Sequence, residues 1–347
     1  MHTMHTMDLV DLATIGIPSL IAFAVCCLLL RWLLRGRLAA TVMDQPNHRS
    51  LHAVPTPRIG GLGVLAGILG GATAILTLRG ELSLPLWTLL LLLILLGGFC
   101  FVDDRRGLSA ALRLPVHLVI AAVWVASSGK LGAGDTASWL IAGGLMFALG
   151  WMMNLYNFMD GSNGLAGGMA VVGFGAYGIA ATLTGQPELA ALAFAVAAAA
   201  LAFLFFNFDP ARVFLGDVGS IPLGFLAGAL GLWGWQASAW PVWFSLLVFS
   251  PFIVDATVTL LRRALRGEKV WQAHHDHAYQ HLIRSGWSHR QLALAAYLLM
   301  ATCAFSALVL RFFDSHWVTA GLVLWGLIYA GLLLAVEYRW RLSRGAK

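Results

Sequence analysis

Apolar runs of about 20 residues recur along the chain, separated by polar stretches, and that is the length needed to cross a bilayer core. Eleven runs are readable, at 13–34, 60–79, 84–102, 112–128, 137–154, 165–184, 188–206, 219–235, 240–261, 291–311 and 317–338. The pattern predicts an all-α integral membrane protein, one polytopic domain over residues 1–347. No repeat of fixed period is visible, and no soluble domain interrupts the runs; the longest connection is 262–290.

Composition agrees. The chain is 59% hydrophobic and 11% charged, with a mean hydropathy of +0.80, which rules out a water-soluble reading. Cys26, Cys27, Cys100 and Cys303 all lie inside apolar runs and read as small buried side chains, without disulfide or metal spacing. The opening MHTMHTMD is too polar for the apolar region of a signal peptide.

The charges are one-sided. Of the 22 Lys and Arg, 19 fall in the odd-numbered connections, the end of the first run and the C-terminal tail. The positive-inside rule then predicts a periplasmic N-terminus and a cytoplasmic C-terminus. The net charge of +6 suits anionic membrane lipid and phosphorylated substrates, and no nucleic-acid module is present.

The unusual polar stretches collect on that same side, in the loops 35–60, 102–113, 154–165, 207–220 and 262–290. The central one, NLYNFMDGSNGLAGG at 154–168, is more polar than a turn between two spans requires. Asn154 and Asn157 are three apart and share a face at a helix end, with Asp160 following. In the first loop, Arg49, His52 and Arg58 offer donors to phosphate, although a solvated basic loop would look similar. FVDDRRGL sets Asp103 and Asp104 beside a span, where carboxylates are costly unless they meet a metal, a base or water; pairing with Arg105 or Arg106 is the plain alternative. FLGDVGS places Asp217 between glycines that let a substrate approach. HHDHAYQH could suggest zinc, but no cysteine is near. An oxygen-rich site around Asp103, Asp104, Asp160 and Asp217 instead suits a hard divalent cation bridging phosphates, Mg²⁺ with Mn²⁺ as a substitute.

These five segments, in order over roughly 10–340, resemble the polyprenyl-phosphate N-acetylhexosamine-1-phosphate transferases, the WecA- and MraY-like glycosyltransferase family 4. The resemblance implies transfer of a sugar phosphate from a UDP-N-acetyl sugar to undecaprenyl phosphate in the bacterial inner membrane, with release of UMP. It implies that Asp217 binds magnesium with Asn157, that Phe214 stacks on uracil, and that Asn163 reads the uracil edge near Asn154. Asp103 and Asp104 match the paired catalytic aspartates, with Asp160 beside them. Arg113, His274, His275 and His277 match the pyrophosphate-binding groups, with Arg58 and Arg49 in support. PTPRIGG and HHDHAYQ depart from the peptidoglycan enzyme's forms, and DQPNHRS and HAYQ resemble the branch that starts O-antigen or other envelope polysaccharide. A homodimer is left open.

The lipid phosphate is already mostly a dianion at pH 7, so its difficulty is approach to another polyanion. Direct in-line attack is therefore favoured over a covalent intermediate on Asp103 or Asp104. Two rival classes remain. A transporter would place its polar groups near mid-membrane. A CDP-alcohol phosphotransferase would resemble DGxxAR, whereas DG is followed here by Ser162, Asn163, Gly164 and Leu165.

Overall fold

The computed structural model describes residues 9–36, 39, 42–44, 54–81, 83–127, 136–270, 272 and 274–345. The long helices among them are α1 (Leu9–Arg35), α2 (Gly60–Arg79), α3 (Leu84–Arg106), α4 (Ala110–Ser127), α5 (Thr136–Phe158), α6 (Leu165–Leu183) and α7 (Pro187–Asn207). They continue with α8 (Asp217–Gln236), α9 (Val242–Val248), α10 (Ser250–Leu265), the short α11 (Ala278–Arg284), α12 (His289–Leu310) and α13 (Ser315–Gly345). The architecture is that of an all-α integral membrane protein. Nine of the described helices are long and apolar enough to cross a membrane, ten if α9 and α10 form one broken span. The shorter apolar helix Ala111–Ser127 occupies the place of the fourth predicted run.

Burial sorts the helices. In α8, 83% of the most apolar window is buried, against 11% in α13, so α8 is the axis and α13 lies at the periphery. Alanines along α7 let α1 and α6 pack closely on it, as small residues do where no hydrophobic effect drives helices together. The outward faces carry large apolar side chains such as Trp32, Leu140, Leu298 and Leu327, as a lipid-facing surface requires.

The ninth predicted run is not one straight helix. α9 and α10 meet at 80° across Phe249, with Pro251 opening α10. The Ser250 hydroxyl donates to the Leu247 carbonyl at 2.7 Å and lies 2.6 Å from the Tyr329 hydroxyl. Polar backbone exposed by the break is thus partly satisfied inside the protein.

Several helices overrun the predicted runs. α3 continues to Arg106, α5 to Phe158, and α8 starts at Asp217, so the candidate residues stand on terminal turns of helices. A two-stranded pair, β1 (Met43–Asp44) with β2 (Thr56–Pro57), closes the first loop. Its continuation is tied to the fourth loop: the Phe214 N–H donates to the Pro57 carbonyl, and the Gly60 and Gly61 N–H groups donate to the carbonyls of Phe214 and Leu215 (2.8–2.9 Å).

Candidate active site

Asp104, on the last turn of α3, accepts from the first two N–H groups of α8, those of Asp217 (3.4 Å) and Val218 (3.2 Å). This carboxylate therefore caps the positive end of the central helix. Gly216, just before that helix, has φ +71°, and a Cβ there would lie 3.0 Å from an Asp104 carboxylate oxygen. A side chain at 216 would disturb both the turn and the cap.

Asp103 is nearly fully buried. Its Oδ1 accepts from the Leu108 N–H at 2.8 Å, while its Oδ2 has no hydrogen-bond partner and faces Arg113 Nε at 3.5 Å. Arg113 Nη1 is also 3.5 Å from Asp217 Oδ2, so one guanidinium lies between the two aspartates. Pairing of Asp103 and Asp104 with the adjacent Arg105 or Arg106 is not what the structure contains; the Arg105 guanidinium lies over the Phe101 ring. Arg58 pairs with Asp44 (2.5 Å) and acts electrostatically on Asp104, Asp160 and Asp217.

Asn157 accepts from the Ser220 hydroxyl at 2.9 Å, and its amide neighbours Asp217. Asn154 turns away from this pairing and donates to the Gly150 carbonyl one turn back (2.7 Å). Asp160 lies in the loop after α5. Burial, then the Asp217 carboxylate, push it well above the usual carboxylate range, with Asp104 adding and Arg58 opposing.

The nucleotide candidates sit beside this cluster. Asn163 donates to Asp209 at 2.9 Å, and its own Oδ1 is buried without a hydrogen-bond partner. Asn207 accepts from the Gly164 N–H (2.8 Å) and donates to the Val213 carbonyl (2.9 Å), locking the third loop to the fourth. Phe214 is half-buried on that same strip, held by its backbone bonds.

The histidine motif joins from the other side. Tyr279 donates to the Phe158 carbonyl at 3.0 Å, and its hydroxyl fills the space a Cβ at Gly161 would need. His277 stacks on Phe158, with ring centres 6.1 Å apart, and lies 4.8 Å from the His274 ring. Burial, then His277 and Arg263, push His274 down to about 4, so its ring is neutral at pH 7 and offers a hydrogen bond rather than charge. His275 is half-buried in the same stretch. Asp255, on α10, accepts from the N–H groups of Ala278 (2.8 Å) and Tyr279 (3.1 Å) and faces His277 Nδ1 at 3.5 Å.

Arg49 lies outside the described residues. The structure brings Asp103, Asp104, Asp217, Arg113, Asn157, Arg58 and Asp160 together, and it seats the histidines against the loop that carries Asp160. Sequence reasoning missed Asp44, Asn207, Asp209 and Ser220 as partners. Ser220 stood inside FLGDVGS, and Asn207 and Asp209 stood in the polar FNFDP that ends an apolar run, which is the signal that could have found them.

No three His, Cys, Asp or Glu side chains among the described residues converge closely enough to hold an ion unaided. That donor set still fits Mg²⁺, which takes one or two carboxylates and completes its shell with water and substrate phosphate. The orphaned Asp103 oxygen, and the gathering of Asp103, Asp104 and Asp217 around Arg113 while Arg58 is already paired with Asp44, leave negative charge for a cation to balance.

Residues 86–234 match the sequence profile of a family described as Glycosyl transferase family 4. That segment includes every aspartate of the cluster but neither Arg58 nor the histidine motif. A Bacillus subtilis protein described as a probable undecaprenyl-phosphate N-acetylglucosaminyl 1-phosphate transferase is 30% identical over 285 residues, covering 78% of this chain and 77% of its own. A Yersinia pestis undecaprenyl-phosphate alpha-N-acetylglucosaminyl 1-phosphate transferase is 27% identical over 327 residues, covering 88% and 87%. A phospho-N-acetylmuramoyl-pentapeptide-transferase of Listeria monocytogenes is 24% identical over 306 residues, covering 82% and 90%.

Proposed function

This chain belongs to glycosyl transferase family 4, and from that premise we propose that it transfers an N-acetylhexosamine 1-phosphate from a UDP-sugar to undecaprenyl phosphate. The products are undecaprenyl-diphosphate-sugar and UMP. The observation that carries this reading is the bridge of Arg113 between Asp103 and Asp217, with Asp104 capping the helix that bears Asp217. Residues 104 positions apart or more are held at one end of the bundle with charge to spare, which a scaffold would not need. The first step of O-antigen or other envelope polysaccharide synthesis, at the cytoplasmic face of the inner membrane, is the role that fits the loop sequences and the placement of the basic residues.

The reaction is in-line displacement. A lipid phosphate oxygen attacks the phosphorus that carries the sugar, and the bond from that phosphorus to the UMP oxygen breaks. Asp103 and Asp104 already have their oxygens turned toward Leu108, Arg113 and the start of α8. That engagement supports a positioning role for the pair over attack as a covalent nucleophile. Arg113 and Arg58 counter the repulsion between the two anions, while neutral His274 donates a hydrogen bond to a phosphate oxygen. Mg²⁺, held by Asp217 with Asn157 in support, would screen the charge that develops on the leaving UMP. Phe214 and Asn163 take the uracil.

The test is purified full-length protein with undecaprenyl phosphate and a panel of UDP-N-acetyl sugars, including N-acetylglucosamine, N-acetylfucosamine and N-acetylquinovosamine. UMP release with one of them, inhibited by UMP and not by CMP, is expected. Release of CMP from a CDP-alcohol, or no release from any UDP-sugar, would refute it.

A further inference from the structure

Two cavities lie side by side against α11, and Asp103, Asp104 and Asp217 line neither of them. The larger, about 620 Å³, is an open cleft bordered mainly by α10, α12 and α13. Its walls are almost wholly apolar, with Phe252, Leu299, Trp325 and Leu332 among them. The smaller, about 240 Å³, opens beside it, and Ala278, Leu333 and Val336 line both. Five arginines line the smaller cavity: Arg262, Arg263, Arg266, Arg341 and Arg344. Against them stand two carboxylates, Asp276, paired with Arg263, and Glu337, paired with Arg341 at 2.8 Å. Arg262, Arg266 and Arg344 are exposed and have no carboxylate within 3.5 Å among the described pairs; Arg266 reaches Glu268 only at 4.0 Å.

An apolar cleft between helices at membrane depth is filled by hydrocarbon, since water would have almost nothing there to hydrogen-bond. A basic cavity at its mouth wants an anion. We propose that this paired cavity binds an anionic diacyl phospholipid, its chains in the larger cavity and its phosphate among Arg262, Arg266 and Arg344. Two features favour this occupant over the prenyl phosphate that the proposed reaction uses. None of Asp103, Asp104, Asp217, Arg58 or Arg113 lines either cavity. Helix α11, pinned by Tyr279 to the Phe158 carbonyl, belongs to the wall of both cavities, and of the histidine motif Asp276 and His281 reach the smaller one while His274 and His277 line neither. The bound lipid would brace α11 and so steady His277 at its N-terminus. This inference is independent of which sugar or prenol the enzyme uses.

The test is native mass spectrometry of the full-length protein, delipidated and titrated with phosphatidylglycerol, with phosphatidylcholine of the same chains, and with undecaprenyl phosphate. Phosphatidylglycerol should be retained and phosphatidylcholine should not. The triple variant Arg262→Gln/Arg266→Gln/Arg344→Gln changes only exposed side chains, and it should weaken phosphatidylglycerol retention roughly a hundredfold, at about fivefold per arginine. Its UMP binding should not change. Ala335→Trp, which fills the larger cavity, should reduce retention without touching the arginines. Equal retention of the two phospholipids, no effect of the triple variant, loss of UMP binding in it, or one-for-one displacement by undecaprenyl phosphate would each overturn the proposal.

Discussion

Asp104 and Asp255 do the same thing in two places. Each reaches from one helix to the first two N–H groups of another, Asp104 to Asp217 and Val218 of α8, Asp255 to Ala278 and Tyr279 of α11. Their surroundings differ. Around Asp255 no second carboxylate among the described residues crowds in: the Thr259 hydroxyl donates to it at 3.2 Å and the His277 ring faces it at 3.5 Å. Around Asp104 stand Asp217 and Asp160, with Arg58 as partial relief. A cap left uncrowded holds a helix in place. A cap crowded by carboxylates costs stability, and such a cost is retained where charge is needed for another purpose. Two identical devices therefore have different jobs: Asp255 seats the histidine motif, and Asp104 aims the end of α8 that presents Asp217.

The largest effect expected from this contrast is at Asp217. Asp217→Asn keeps the shape and removes the charge that a hard cation wants. Metal stabilisation of a leaving phosphate is worth several kcal/mol, so turnover should fall by roughly a thousandfold or more. The unfolding temperature should hold or rise, because a like charge beside Asp103 and Asp104 is gone. UMP release measured against Mg²⁺ concentration checks this. A folded Asp217→Asn enzyme with wild-type turnover and metal dependence would take Asp217 out of the site.

The two caps should then separate. Asp104→Asn is expected to lower turnover by roughly a hundredfold, the scale on which one preorganised electrostatic group acts, with little change in thermal unfolding. Asp255→Asn should do the reverse. Losing a charged acceptor for two backbone donors costs about 1–2 kcal/mol, so unfolding should come several degrees lower while turnover falls only modestly. Thermal unfolding and UMP release on the same preparations decide it, and a common response by both variants would dissolve the distinction.

The long apolar helices were legible because bilayer thickness sets their length, and each described span overlaps a predicted run. The candidate residues were legible too, since polar side chains at membrane boundaries stand out from composition alone. What was not legible was their pairing. Nothing local says that Arg113 will lie between Asp103 and Asp217, or that Asp44 will hold Arg58, because such contacts depend on how helices far apart in sequence pack. Helix ends were misjudged for a related reason: Asp103 and Asp217 fell outside the predicted runs, yet α3 and α8 carry them on terminal turns where other segments supply partners. The break at Phe249 was hidden inside an apolar run, with Pro251 as its one local sign.

The smallest effect, and the most direct reading of the crowded cluster, is a pH dependence at Asp160. Its carboxyl is held above the usual range by burial and then by Asp217, so the folded protein keeps a proton that the unfolded chain gives up from about pH 4 upward. Over that window the folded state binds more protons than the unfolded one, so this group's contribution is full at low pH and is lost as pH rises. Asp160→Asn, which stays neutral, removes the loss. The metal-free variant should therefore unfold at the same temperature as the wild type near pH 4 and at a higher one by pH 8, with the gap widening between. Added Mg²⁺ and UMP should narrow the gap, because a bound cation offsets the repulsion from Asp217 that helps keep the proton on. Thermal unfolding from pH 4 to 8, with and without Mg²⁺ and UMP, measures both. A gap that stays flat with pH would mean that Asp160 ionises as an ordinary surface carboxylate and stands outside the cluster.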